Sequence, residues 1–227
     1  MDGNGRWARE RGLPRIMGHR QGAQSVRAVT KACARKGVRQ LTLYAFSTEN
    51  WKRPASEVSF LMRLLKRFLV QEREEILENN IRFTTIGHEE DLPEPVQAEL
   101  RETKRLSRDN TGMVLCLALS YGARREIADA ARKLALDVKA GKRTAKSITE
   151  EVFAEYLDTA GMPDPDLVIR TAGELRLSNF LLWQASYAEI YVTEVRWPDF
   201  REAELDKALA AYARRQRRFG AVEPRTL

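Results

Sequence analysis

The feature that most limits the fold is the alternation of short, continuously apolar runs with longer amphipathic stretches. Leu41–Phe46 (LTLYAF), Ile81–Ile86 (IRFTTI), Met113–Ser120 (MVLCLALS), Asp166–Arg170 (DLVIR) and Ile190–Val195 (IYVTEV) read as strands. LTLYAF and MVLCLALS lack polar alternation, as expected of strands covered on both faces of a parallel sheet. Between the strands lie helical spacings: Val26–Lys36, stopped by Gly37; Glu57–Asn79, with Pro54 barring an earlier start and Ser56 as its cap; Pro93–Asp109; a stretch from Tyr121-Gly122 to about Lys139; Ser147–Leu157, capped by Ser147 or Thr149; and Glu202–Phe219. This order predicts βαβ units: an α/β chain with a mostly parallel central β-sheet flanked by helices. No linker or internal repeat divides the 227 residues, so residues 1–227 are expected to form a single domain.

Ligands of such sheets sit beyond the carboxyl ends of the strands. Two polar segments leave strands directly, Ser47–Arg53 (STENWKR) and Thr171–Ser178 (TAGELRLS). A third segment, Met1–Arg20, reads as a glycine-rich loop: Gly3, Gly5, Gly12 and Gly18 stand among Arg6, Arg9, Arg11, Arg15 and Arg20, with Asp2, Asn4, Trp7 and His19. Glycine lets backbone N–H groups approach a ligand, and arginine forks match phosphate oxygens. Arg170, Arg176 and Ser178 form R-x-x-x-x-x-R-x-S behind a buried strand, a pattern suited to a diphosphate. All three segments are expected on one rim, with Arg6, Arg15, His19 and Arg53 adding cations enough for two anionic groups. Asp2, Glu49 and Glu189 are the carboxylates with acid or metal potential; one hard cation held by one or two carboxylates plus phosphate oxygens is ordinary magnesium chemistry.

Other chemistries lack their residues. There is no G-x-x-x-x-G-K-[ST], no G-x-G-x-x-G behind a strand and no G-x-S-x-G. His88, one of two histidines, falls in the charged turn GHEED and reads as solvated. Cys33 and Cys116 each sit in an apolar pattern without metal-ligand spacing, which fits buried thiols in a reducing compartment. The net charge of +7 permits nucleic acid, an anionic membrane surface or phosphorylated small molecules as partners. Arginines placed beside glycine, serine and asparagine favour the last, and no nucleic-acid-binding module is present. A cytoplasmic location is expected, with peripheral contact at the inner face of a membrane left open. The wide apolar face of the 57–79 helix is the candidate lining of a greasy cleft, with Leu43, Ile81 and Met113.

Five blocks then carry a family likeness: DGNGRWA (2–8) with GHR (18–20), LTLYAFSTENWKRP (41–54), NTG (110–112), DLVIRTAGELRLSNFLLWQ (166–184), and YAEIY with WPDF (187–191, 197–200). Together they resemble the cis-prenyltransferases, closest to the bacterial undecaprenyl diphosphate synthases, or isoprenyl transferases, over nearly the whole chain. The aspartate-rich D-D-x-x-D motif of the trans-type synthases is absent. The resemblance implies magnesium-dependent condensation of isopentenyl diphosphate onto an allylic primer such as farnesyl diphosphate, with cis double bonds. The product would be a long polyprenyl diphosphate of the undecaprenyl class, for the carrier lipid of cell-wall glycan.

It further implies Asp2 as the essential metal-linked acid and Asn50 as the residue helping proton removal. Gly3, Asn4, Gly5, Arg6, Trp7, Arg15 and His19 match the primer diphosphate site. Ser47, Thr48, Glu49, Trp51 and Arg53 surround the reacting end. Arg170, Arg176, Leu177 and Ser178 match the isopentenyl diphosphate site. Glu189 matches a magnesium ligand supplied across a homodimer. Leu175 stands where several relatives carry a polar residue or histidine, and Ala172 where glycine or serine is usual. Relatives also carry an apolar strand just before D-G-N-G, in the middle of the sheet, so the expectation is a sheet without its usual first strand. Two other readings stand beside this one: a catalytically silent partner subunit, against which the presence of Asp2, Asn50, Arg170, Arg176 and Ser178 argues, and a synthase of shorter or longer chains.

Overall fold

The computed structural model describes residues 1–215. Strands β1 (Gln40–Ser47), β2 (Arg82–Ile86) and β3 (Val114–Tyr121) form a parallel sheet in the order β1-β3-β2, with Leu43 and Thr85 both facing Leu117. β3 is buried from Leu115 to Tyr121, which explains its unbroken apolar run. Strands β4 (Leu167–Arg170) and β5 (Glu189–Val192) form a second parallel pair. β1 and β4 are not paired. Gln40–Tyr44 and Leu167–Thr171 bound a cavity of about 690 Å³ instead. The parallel strands therefore fall into two parts with this cavity between them.

The helices are α1 (Asn4–Glu10), α2 (Arg15–Arg35), α3 (Ala55–Glu78), α4 (Glu94–Ser107), α5 (Ala123–Lys139), α6 (Glu150–Ala154) and α7 (Glu202–Ala213). The main core joins β1–β3 to α2, α3 and α4 through Val29, Leu43, Leu69, Leu100 and Leu115. Cys33 and Cys116 are both buried, and burial pushes their thiols up to about 11 and about 12. No helix among the described residues is long and apolar enough to cross a membrane.

Several sequence expectations are corrected. The glycine-rich stretch is mostly helix, and α2 begins at Arg15 rather than Val26. Gly18 is not a loop signal. A Cβ on Gly18 would strike the backbone carbonyl of Asn4, and one on Gly22 the Asn4 side chain and Trp197. These glycines let α1 lie against α2. Helix α3 starts directly after Pro54, leaving Ser56 inside it rather than at its cap. Thr149, not Ser147, caps α6, accepting the Val152 N–H. In α3 the Glu72 carboxylate is buried, turned inward to Arg27 of α2. His88 is not simply solvated: it bridges Glu90 at 2.7 Å and Asp129 at 2.9 Å. α7 ends at Ala213, and positions 216–219 of the expected helix lie outside the described residues.

Candidate functional site

The three predicted rim segments do meet. Asp2 is the junction. Its N–H donates to Thr171 Oγ1, and its carbonyl accepts from the Thr171 hydroxyl and the Trp197 N–H, each at 2.9 Å. The main chain at Asp2 is thus fixed by the segment behind β4 and the turn before α7. The carboxylate accepts from Gly3 N–H at 2.7 Å and Arg170 Nη2 at 3.1 Å, with Arg6 at 3.7 Å. Burial opposes its ionisation. The Gly3 N–H, Arg170, the chain's amino group and Arg6 outweigh burial and hold Asp2 below the usual carboxylate range. Burial also lowers the amino group of Met1 to about 6.

Two groups of cations flank Asp2. In the first, Arg15 and Arg53 reach Glu57 of α3 at 3.4 and 3.2 Å. His19 Nε2 lies 3.6 Å from the same carboxylate, beyond hydrogen-bond reach, and is buried without a partner. Burial, then Arg53, lowers the His19 pKa to about 4, against the pull of Glu57, so this imidazole is neutral at pH 7. Gly5 sits under the Arg15 guanidinium, where a Cβ would come within 3.1 Å of its Cζ. Gly5, Arg15, His19 and Arg53, with Gly3, Asn4 and Asn50, form the polar side of a cavity of about 220 Å³. Its other side is apolar: Phe46, Leu61, Leu65, Phe68, Leu117 and Leu119. The face of α3 does line a cleft, as expected. Of the strand residues expected there, Leu43 lines the cavity between the sheets, and Ile81 and Met113 are buried in the core. Residues later along β1 and β3 take their place, because the cavity opens at the carboxyl ends of the strands.

In the second group, Arg170 Nη1 donates to the Arg176 carbonyl at 2.9 Å, and Nη2 to Ser178 Oγ at 3.2 Å. Arg170 Nε is buried and unpartnered. Glu174 joins the groups: it pairs with Arg6 at 2.7 Å and Arg176 at 2.5 Å. The loop is backed by left-handed residues, among them Ala172 at φ 67° and Ser178 at φ 51°. Leu177 faces the cavity between the sheets.

In the turn after β1, Asn50 Oδ1 accepts the Ser47 N–H at 3.1 Å, which aims the Asn50 amide along the cavity rim. Thr48 packs beside Gly122. Glu49 accepts from Asn179 at 3.0 Å, and Trp51 donates to Ser120 Oγ at 2.9 Å while its ring meets Phe46 edge-on.

Two expected site residues stand elsewhere in the single chain. Trp7 donates to Asp199 at 2.8 Å beneath Arg11 and does not line the cavity. Glu189 pairs with Arg215 and, opposite Leu167, starts the β4–β5 pair at the far end from Arg170. Among the described residues no group of three His, Cys, Asp or Glu side chains gathers for a metal. Sequence reading missed Glu57, Glu174, Thr171 and Asn179. Glu57 stands four residues from Arg53 and Glu174 inside the R-x-x-x-x-x-R pattern, so ion-pair spacing could have found both.

The chain is similar to known proteins over nearly its whole length. The Prenyltransf family model, described as "Putative undecaprenyl diphosphate synthase", matches residues 1–220. An isoprenyl transferase of Clostridium perfringens is 50% identical over 223 residues, covering 98% of this chain and 88% of that protein. A ditrans,polycis-undecaprenyl-diphosphate synthase ((2E,6E)-farnesyl-diphosphate specific) of Legionella pneumophila is 47% identical, covering 98% and 93%. The crystal structure of lavandulyl diphosphate synthase from Lavandula x intermedia, in complex with dimethylallyl diphosphate, superposes with a TM-score of 0.95 at 40% identity, covering 97% and 95%.

Proposed function

The chain belongs to the undecaprenyl diphosphate synthase family of isoprenyl transferases, enzymes that move prenyl groups, and from that premise we propose that it is a cis-polyprenyl diphosphate synthase. It condenses isopentenyl diphosphate repeatedly onto an allylic primer such as farnesyl diphosphate. The observation that carries this reading is the place of Asp2 between the two cation groups: it pairs with Arg170 and, with Arg15 and Arg53, lines a cavity whose other side is apolar.

Arg15, His19 and Arg53, with the Gly3–Gly5 backbone, hold the allylic diphosphate. Arg170, Arg176 and Ser178 hold isopentenyl diphosphate. Buried N–H donors without partners, Arg170 Nε and the Nε2 tautomer of His19, suit anionic oxygens. Bond cleavage at the allylic C–O builds charge on the departing diphosphate, and preorganised cations stabilise that charge. Holding both diphosphates on one rim brings the two reacting carbons together, which is catalysis by positioning. The Asn50 amide is too weak a base to work alone. Its Oδ1 is tied to Ser47, so its N–H groups orient the diphosphate oxygen that takes the proton. The prenyl chain grows along Leu61, Leu65 and Phe68 of α3.

Magnesium fits this donor set. Asp2 is ionised and 37% exposed, and one carboxylate with diphosphate oxygens is an ordinary magnesium shell. Asp2 would hold the ion, joined in a homodimer by Glu189 of a second copy. When bound, magnesium neutralises charge on the leaving diphosphate. The described chain acts as one domain. Its long-chain product serves as carrier lipid for cell-wall glycan and leaves at the inner face of the membrane, with the protein itself cytoplasmic.

The test is chromatography of products from radiolabelled isopentenyl diphosphate, farnesyl diphosphate and magnesium. Polyprenyl diphosphates of the undecaprenyl class are expected, and Asp2→Ala should cut turnover far more than primer binding. Products that stop after one condensation would point to a short-chain enzyme. No incorporation at all would sink the enzyme reading.

A further inference from the structure

Two rim segments arise from different strands, yet one side chain fastens them together. Asn179 follows Ser178 in the left-handed region, at φ 62°. Its carbonyl accepts the Ala123 N–H and its Oδ1 accepts the Arg124 N–H, each at 2.9 Å, so it caps the first turn of α5. Its Nδ2 donates to Glu49 Oε1 at 3.0 Å. The partners fix which end of the amide is which, because a backbone N–H can only donate and a carboxylate here can only accept. Gly122 marks how tightly the segments meet: a Cβ there would lie 2.7 Å from both Asn179 Nδ2 and Thr48 Oγ1. The 17-residue helix α5 is thus the fixed reference against which both rim segments are set. The Glu49 carboxyl is held below its usual range: burial opposes this, and the Asn179 amide and the neighbouring donors outweigh burial.

We propose that Asn179 is a positioning residue that couples the two substrate subsites. It orients Glu49 beside Asn50 at the reacting end, and through its own backbone it sets Ser178 and Arg176 in the isopentenyl diphosphate subsite. The proposal rests on the reading of this rim as a double diphosphate site.

Asn179→Asp separates positioning from folding. Aspartate keeps the size, tolerates the left-handed backbone, and still caps α5 with a charge that suits a helix N-terminus. It replaces the donor to Glu49 with a second carboxylate oxygen. The melting temperature should stay within about 3 °C, while KM for isopentenyl diphosphate rises about tenfold or more. Asn179→Gly keeps the left-handed backbone, removes both side-chain bonds, and should raise KM likewise. In the Glu49→Gln background, Asn179→Asp should change KM less than about threefold, because glutamine now donates to aspartate and the bond is restored in reverse. An unchanged KM in Asn179→Asp, or the same rise in both backgrounds, overturns the proposal. A wild-type protein that neither binds isopentenyl diphosphate in calorimetry nor incorporates it overturns the function reading, and the proposal falls with it.

Discussion

Gly18→Ala sets local propensity against tertiary fit. Gly18 lies inside α2, where alanine is favoured over glycine by about 1 kcal/mol. On propensity alone the variant is the more stable protein. The structure says the opposite. A Cβ at Gly18 would stand 2.7 Å from the Asn4 carbonyl carbon, closer still to its oxygen, and 3.3 Å from Ala8 Cβ. Real Cβ contacts essentially never fall below 3.0 Å, and the obstacle is backbone that cannot rotate away. Relief requires α1 to back off by about 1 Å. Overpacking of this kind costs about 1–3 kcal/mol. A backbone clash this close takes the upper end of that range, so against the propensity gain a net loss of about 2 kcal/mol is expected, or roughly 4–8 °C in melting temperature for a chain of this size. The displacement also reaches the chemistry, because Asn4 begins the helix that follows Asp2 and carries Arg6. Turnover should fall by about tenfold or more, since small misplacements of reacting groups are costly. Calorimetry and steady-state turnover measure both effects. Gly22→Ala should do less harm, because the Asn4 side chain and the edge of Trp197 can yield. A Gly18→Ala protein with an unchanged or raised melting temperature would refute the close packing of α1 on α2.

The pH dependence of stability should carry a His19 signature. Its folded pKa is about 4 against 6.5 in the unfolded chain, so the unfolded state binds the proton first as pH falls. Stability is full above 6.5 and declines from there toward 4, by roughly 2 kcal/mol at pH 5. His19→Gln should remove that part of the slope, and an unaltered slope between pH 6.5 and 5 would refute the burial argument. Arg170→Ala removes the bonds to Asp2, Ser178 and the Arg176 carbonyl, and should raise KM for isopentenyl diphosphate about a hundredfold while leaving KM for the primer within about threefold. An unchanged requirement would take Arg170 out of that subsite. Ala172→Gly relieves a left-handed residue and should raise the melting temperature, by about 1 kcal/mol of stability, less the entropy that glycine adds to the unfolded chain. A lower melting temperature would show that the Ala172 methyl, 3.0 Å from where a Gly3 Cβ would stand, is needed for packing.

The sequence made some of these features visible and hid others for identifiable reasons. The strands were legible because burial on both faces writes itself as unbroken apolar runs, as in MVLCLALS of β3. The start of α2 was not legible. Glycine and arginine over residues 12–20 read as loop, and only the neighbour at Asn4 shows that Gly18 is glycine for room. Glu72 stands in a polar run, and only Arg27 coming across from α2 explains its burial. Trp7 sits inside a motif that names it, yet its indole is turned to Asp199, a residue 192 positions away.

What the amino-acid order determined by itself is local and periodic: which segments are strands, that the sheet is parallel, and that glycine, arginine and carboxylates crowd its carboxyl rim. Those follow from side-chain period and backbone preference, which act over a few residues. The tertiary structure alone decided which of those residues meet. Asp2 is held by Thr171 and Trp197, Arg6 and Arg176 share Glu174, and Glu49 answers to Asn179. Apart from Arg176–Glu174, two residues apart, each pairing joins segments far apart in the chain. A hydrogen bond depends on position within a few tenths of an ångström, and that precision is set by packing, which no short stretch of sequence contains.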